Sequence, residues 1–242
     1  MEIFAHRGAS AHAPENTMAA FVAAYDQRAD AIELDVHVAA DGTIVVIHDD
    51  TVQRTTQGTG AVAQLTYDQL RRLDAGSIFG ASFRGERIPT LAEVLDFVRS
   101  TSMRVNIEVK GANLSEERLL QLIRDHDMIE RTIVSSFSWN VLRKMQAVDS
   151  GVQVAPLCTE FHVLTPDEAY ARGFQAIHPH LRSLSPMYIR RAIDLGVSLR
   201  PYTVNRTEDV SALFRLGTHA IITDDPLRAR RIVQQMRSGD RR

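Results

Sequence analysis

Short apolar, β-branched runs alternate along this chain with segments whose apolar positions recur every third or fourth residue. Ile3-Phe4-Ala5, leading into His6-Arg7-Gly8, predicts a first strand. Pro14 then opens a helix over Glu15–Arg28, with the proline in its first turn and Met18, Phe21, Val22 and Tyr25 at helical spacing. Ile32 to Val36 predicts a second strand, in which Glu33 and Asp35 share one face and Ile32, Leu34 and Val36 take the other. Asp41-Gly42 supplies a turn, because both residues tolerate positive φ, and Thr43 to His48 is apolar and β-branched enough to be the returning strand. That hairpin is expected to bring His48 back alongside Glu33 and Asp35.

Residues 50–90 break the rhythm. Thr-, Gln- and Gly-rich stretches surround one short helix, Tyr67–Leu73, whose Thr66 and Gln69 match a capping box. The segment is too long for an ordinary connection and reads as an insertion at the rim. Alternation then resumes. Thr90 and Glu93 cap a helix to about Ser100, Arg104–Lys110 is a strand, Ser115–His126 a helix and Thr132–Phe137 a strand. Gly151, Gly173, Gly196 and Gly217 each sit where a helix should end, at intervals of 22, 23 and 21 residues. After them come the strands Val152–Leu157, Ala176–His178, Ser198–Val204 and Ala220–Thr223. Thr165-Pro166 and Ser185-Pro186 are helix starts, Asp224-Asp225-Pro226 is expected to cap the final helix, and the tail 240–242 to fray.

Eight strand–helix units at this length predict an α/β fold, a TIM (β/α)8 barrel, over a doubly wound sheet. The chain 1–242 is read as one domain, with an inserted segment at about 50–90 following the strand-two hairpin. No Gly-x-Gly-x-x-Gly turn follows strand one, which disfavours a dinucleotide site. His6, Arg7, Glu33, Asp35, Glu108 and Lys110 all fall at the C-terminal ends of strands, the barrel face where active sites form.

Composition narrows the partners. A net charge of −2 with 24% charged residues gives no sign of a nucleic-acid or membrane surface. No apolar run reaches the length of a membrane span, and the first ten residues show no signal-peptide pattern. The single cysteine, Cys158, excludes an intrachain disulfide and accords with a reducing compartment. The expectation is a cytoplasmic protein with no membrane anchor and a small-molecule substrate; assembly into a homo-oligomer stays open.

Any one of Glu33, Asp35 and Glu108 alone reads as a solvated or ion-paired strand-end charge. Three converging on one barrel mouth read as the oxygen shell of one hard divalent cation, Mg²⁺ or Ca²⁺. His6 and His48 are candidates for a general acid–base pair. His12, His37, His126, His162, His180 and His219 have no evident partner; His178, at a strand end, could line the pocket. Arg7 and Lys110 either neutralise the carboxylates or clamp an anion, and cations beside a metal favour a phosphate ester over a neutral sugar. Phe137 and Tyr202, near strand ends, are read alone as packing.

The ordered set His6-Arg7-Gly8, Pro14-Glu15-Asn16-Thr17, Ile32-Glu33-Leu34-Asp35-Val36, Asp41-Gly42 and Val45-Val46-Ile47-His48-Asp49 resembles the glycerophosphodiester phosphodiesterase family. Arg54-Thr55-Thr56, Ile88-Pro89-Thr90-Leu91, Asn106-Ile107-Glu108-Val109-Lys110, Thr203-Val204-Asn205 and Ile221-Ile222-Thr223-Asp224 extend the match over nearly the whole chain. The resemblance implies a TIM barrel with a small insertion, a metal held by Glu33, Asp35 and Glu108, an acid–base pair in His6 and His48, and phosphate contacts from Arg7 and Lys110. Tyr202 stands where the family usually has tryptophan, which bears on the apolar wall around the substrate, here Tyr202 with Phe137. The expected reaction is hydrolysis of glycerophosphodiesters to glycerol 3-phosphate and an alcohol, through a cyclic phosphate. Its rivals are a lysophospholipase D reaction in the same site, a metal-dependent sugar isomerase and a non-catalytic binding protein. The isomerase would need ligands around more of the barrel than strands four to eight offer. The binding protein gains little from a chain that carries both histidines and all three carboxylates.

Overall fold

The computed structural model describes residues 1–111 and 114–239. Strands β1 (Glu2–Ala5), β2 (Ala31–Val38), β4 (Arg104–Val109), β5 (Thr132–Ser136), β6 (Gln153–Cys158), β7 (Ala176–Pro179), β8 (Ser198–Leu199) and β9 (Ala220–Thr223) lie side by side and parallel, in the order β8-β7-β6-β5-β4-β2-β1-β9. β8 is shorter than the predicted Ser198–Val204, because Pro201 has no N–H to give a ladder. The seam between β8 and β9 is instead closed by the chain just beyond β8: Ile222 donates to the Pro201 carbonyl at 2.9 Å and Val204 to the Ile222 carbonyl at 2.8 Å. The result is a nearly closed eight-stranded TIM barrel.

Helices α1 (Met18–Asp26), α3 (Leu91–Arg99), α4 (Glu116–Asp125), α5 (Trp139–Val148), α6 (Pro166–Ala171), α7 (Pro186–Asp194), α8 (Thr207–Arg215) and α9 (Pro226–Gly239) surround it; α2 (Tyr67–Leu70) belongs to the insertion. Their starts follow the capping chemistry. Thr66, Thr90 and Thr165 form capping boxes with Gln69, Glu93 and Glu168. Ser185 caps α7 ahead of Pro186. Helix α1 begins later than predicted, at Met18: the side chain of Thr17, not Pro14, sets its start, and residues 7–16 form a loop over the barrel end. Gly173, Gly196 and Gly217 have φ between 70° and 79°, as glycines just past a helix do, whereas Gly151 lies outside that group. The tail 240–242 lies outside the described residues.

Alternation along each strand sorts side chains into two cores. Ile32, Leu34, Val36, Val105 and Ile107 point outward into the layer beneath the helices. Phe4, Ala31, Ile133, Ala155, Ala176, Ala220 and Ile222 fill the barrel interior. The insertion has a small core of its own, in which Val45 and Ile47 meet Val52, Val62, Leu70 and Ile88. Among the described residues no helix is long and apolar enough to cross a membrane.

Candidate active site

The hairpin positions the first half of the site. β2 pairs with the antiparallel β3 (Ile44–Val46), Val36 opposite Val46, and the turn rests on Gly42 at φ 84°. β3 is shorter than predicted because residues 47 and 48 leave the ladder toward the insertion. Ile47 still donates to the Asp35 carbonyl at 3.0 Å, so His48 arrives beside Asp35.

The other half comes from the end of β1. Arg7 has φ 54° and Gly8 φ 83°. A Cβ on Gly8 would stand 2.6 Å from the Ala20 Cβ, so only glycine lets the chain turn here against α1. The turn aims the Arg7 N–H at Glu33 Oε2, 2.9 Å away. Asn16, also at positive φ, donates to Asp35 Oδ2 at 2.9 Å and accepts from the Asp35 N–H. Register then sets Glu108 directly across from Asp35.

Glu33, Asp35 and Glu108 each offer one oxygen, and these three atoms lie within 4.8 Å of one another in a buried setting. Two cations reach them: Arg7 Nε is 3.3 Å from Asp35, and Lys110 Nζ is 3.2 Å from Asp35 and 2.5 Å from Glu108 Oε1. The close Lys110–Glu108 ion pair gives that oxygen a charged partner. Burial and then Asp35 push Glu33 up to about 8 and push Glu108 up as well. Burial works against ionised Asp35 too, but Lys110 and Arg7 outweigh it and hold its carboxyl below the usual range. Crowded, desolvated oxygen ligands with more negative than positive charge are the donor set of a hard divalent cation, and the cluster could hold one.

Each of the two histidines has a carboxylate on Nδ1. His6 Nδ1 lies 2.6 Å from Asp224 Oδ1, and Asp224 is itself held by Asn205 Nδ2 at 2.5 Å and Ser10 Oγ at 3.2 Å. His48 Nδ1 lies 2.6 Å from Asp49 Oδ1. The environments differ. Burial would discharge His6, but its bond to Asp224 and the field of Glu33 prevail and raise its pKa. At His48 burial prevails over Asp35 and Asp49, and its pKa is lowered.

Residues 6–228 match the family model described as the glycerophosphoryl diester phosphodiesterase family. The chain belongs to that family. It is 40% identical over 233 residues to a glycerophosphodiester phosphodiesterase of Caldanaerobacter subterraneus, covering 93% of this chain and 94% of the relative. A glycerophosphodiester phosphodiesterase of Bacillus altitudinis is 33% identical, covering 98% of this chain and 99% of its own. Among solved structures, an Oleispira antarctica phosphodiesterase in complex with the product sn-glycerol-3-phosphate superimposes with a TM-score of 0.90 at 26% identity, covering 97% of each chain. The chain is thus a phosphoric diester hydrolase of this family.

Phe137 and Tyr202 stand together on the phosphodiesterase mouth, ring centroids 6.4 Å apart and edge to face. Lys110 Nζ lies 5.9 Å from the Phe137 centroid, and the Tyr202 hydroxyl, donating to the Cys158 carbonyl at 3.0 Å, fixes its ring. His178 is fully buried inside the barrel and does not line an open pocket. Other histidines gain partners from distant segments, His12 from Asp225 and His219 from Glu2, while His37 meets the His48 carbonyl.

Sequence reasoning missed four carboxylate and guanidinium groups around the site. Asp224 binds His6, and Asp225, not Asp224, caps α9 by accepting the Arg228 N–H at 2.9 Å. Asp49 carries His48. Glu15 accepts from Arg7 Nη1 at 2.8 Å, and Arg54 joins Glu15 to Asp49. Signals were available: all four fall inside the motifs that carry the family resemblance, and Asp224 directly follows a strand on the same barrel face as the other charged residues.

Proposed function

We propose that this enzyme hydrolyses glycerophosphodiesters to glycerol 3-phosphate and an alcohol, with Glu33, Asp35 and Glu108 as ligands of one Mg²⁺ or Ca²⁺ ion and His6 and His48 as an acid–base pair. The convergence of three buried carboxylates with two carboxylate-bound imidazoles carries this reading. The product seen with the Oleispira antarctica relative supports it. In this reading residues 1–242 act as one domain, and the segment 50–90 forms part of the catalytic rim.

The bound ion would supply positive charge for the phosphate oxygens. Arg7 and Lys110 would hold the phosphodiester beside it, with the edges of Phe137 and Tyr202 against the carbon skeleton. A phosphodiester anion repels hydroxide, whereas the glycerol hydroxyl next to the ester is already in place and gains the advantage of an intramolecular reaction. His48, the less basic imidazole, takes that hydroxyl's proton as its oxygen bonds to phosphorus. His6, kept protonated by Asp224, gives a proton to the departing alcohol as its P–O bond breaks. The cyclic glycerol phosphate is then opened by water: His6, now neutral, takes a proton from the water, and His48 returns one to the ring oxygen. Both histidines end as they began.

Phosphorus NMR of the reaction tests this reading. Glycerol 3-phosphate should accumulate, and an otherwise identical diester lacking the neighbouring hydroxyl should inhibit without turning over. Equal turnover of the two diesters defeats the cyclic route; a different phosphorus product defeats the assigned reaction.

A further inference from the structure

At the floor of the barrel, opposite the catalytic mouth, a buried cation lacks a counter-ion of its own among the described residues. Arg200 follows β8 and is only 4% exposed, with its guanidinium carbon 5.5 Å from the centroid of the Phe4 ring inside the barrel. Its Nε and Nη1 have no hydrogen-bond partner among the described residues. The carboxylate that acts on it through space is Glu2. Glu2, however, is ion-paired with Arg104 and lies 3.3 Å from His219 Nε2. Arg104 stacks on the same Phe4 ring at 5.5 Å, so two guanidinium groups share one carboxylate. His178 offers no negative charge and is itself held uncharged by burial and by Arg200. Burial and then Arg104 push Arg200 down to about 10, which still leaves it charged at neutral pH.

Arg200 lines a cavity of about 190 Å³. The other polar side chains on its wall, Gln146, Ser150, Gln153, Gln175 and Ser198, are neutral, and among the described residues no carboxylate lines it. Gln153 and Ser198 open β6 and β8, and Gln175 precedes β7, so the cavity sits at the N-terminal ends of strands whose C-terminal ends surround the mouth. A desolvated, unpaired charge is a costly feature of a fold, and one that an anion would relieve. A planar guanidinium flanked by amides and hydroxyls suits an oxyanion in particular.

We propose that this cavity binds a small oxyanion, of the class of inorganic phosphate or a small carboxylate, with Arg200 as its charged ligand. The site is separate from the catalytic mouth and does not depend on the reaction assigned there.

Inorganic phosphate is the probe, titrated at fixed ionic strength while the melting temperature is followed. An Arg7→Ala background weakens phosphate binding at the mouth. In that background the melting temperature should rise saturably, by about 3 °C or more near saturation. Adding Arg200→Met should abolish the rise while leaving the phosphate-free melting temperature no lower, since the substitution removes an uncompensated charge. Should the Arg200 variant fail to fold, the more open wall carries the same test: Gln175→Leu with Ser198→Ala should weaken the response several-fold. Acetate in place of phosphate separates a general oxyanion site, which responds to both, from a phosphate-selective one. No saturable response in the Arg7→Ala background, or an unchanged response after Arg200→Met, overturns the proposal.

Discussion

Arg54 grips Asp49 with two nitrogens, Nε to Oδ2 at 2.7 Å and Nη2 to Oδ1 at 3.0 Å. With Nη1 and Nη2 it also grips both oxygens of Glu15, at 2.7 and 2.9 Å. One guanidinium thereby ties the partner of His48 to the partner of Arg7, across the start of the insertion. A lysine ammonium is a point charge and cannot reproduce two forks. Arg54→Lys should therefore lower kcat by between about 10-fold and 10²-fold, the scale of a misplaced catalytic group. The same variant should melt close to wild type, because Arg54 is half exposed and its ion pairs are screened. Steady-state kinetics beside a melting curve checks both; wild-type kcat in Arg54→Lys contradicts the positioning role.

The two histidines should set the two limbs of a bell-shaped pH–rate profile. In the proposed reaction His48 must be neutral to accept a proton, and it titrates below an ordinary imidazole; His6 must be protonated, and it titrates above one. Asp224→Asn removes the bond that raises His6, so the alkaline limb should move to lower pH. Asp49→Asn removes a support of protonated His48, so the acid limb should also move to lower pH. His6→Ala and His48→Ala should each cost about 10²-fold or more in kcat. Shifts in the opposite directions would contradict the assignment of acid and base.

Metal-free protein should lose stability as pH rises through neutrality. Glu33 ionises near 4.5 when unfolded and at about 8 when folded. A carboxyl raised in this way favours the unfolded state progressively from pH 4.5 up to 8, after which its effect is constant. Asp35, held below its ordinary value, acts in the opposite sense at lower pH. Chelated wild-type protein should thus show a falling melting temperature between about pH 5 and 8, and Glu33→Gln should flatten that fall. A slope left unchanged by Glu33→Gln would contradict the charge crowding at the mouth.

The parts of this molecule that repeat were legible in its sequence. Strand and helix positions followed from apolar periodicity, and Thr66, Thr90 and Thr165 announced their helices through local capping chemistry. Glu33, Asp35 and Glu108 could be foreseen together because Glu33 and Asp35 share one face of their strand and all three fall at C-terminal strand ends. Asp224 could not be paired with His6, since the two are 218 residues apart and meet only when β9 closes on β1. Asp224 was hidden as well by a competing local reading, the helix cap that Asp225 provides. Arg54 lies in the segment with the least periodicity, where no spacing rule says which way a side chain turns. The late start of α1 has a similar cause: a proline marks where a helix can begin, but the loop before Met18 is held by Arg7 and Asn16 instead.

The proposed reaction requires a divalent cation held by Glu33, Asp35 and Glu108. The measurement that tests it most directly is glycerol 3-phosphate release from a glycerophosphodiester by exhaustively chelated enzyme, before and after adding back Mg²⁺ or Ca²⁺, with metal content followed by elemental analysis. Activity should vanish on chelation and return with one bound ion per chain. Glu108→Gln, folded as wild type, should need a higher metal concentration for half-maximal return. Full activity in protein shown to be free of metal would contradict the account.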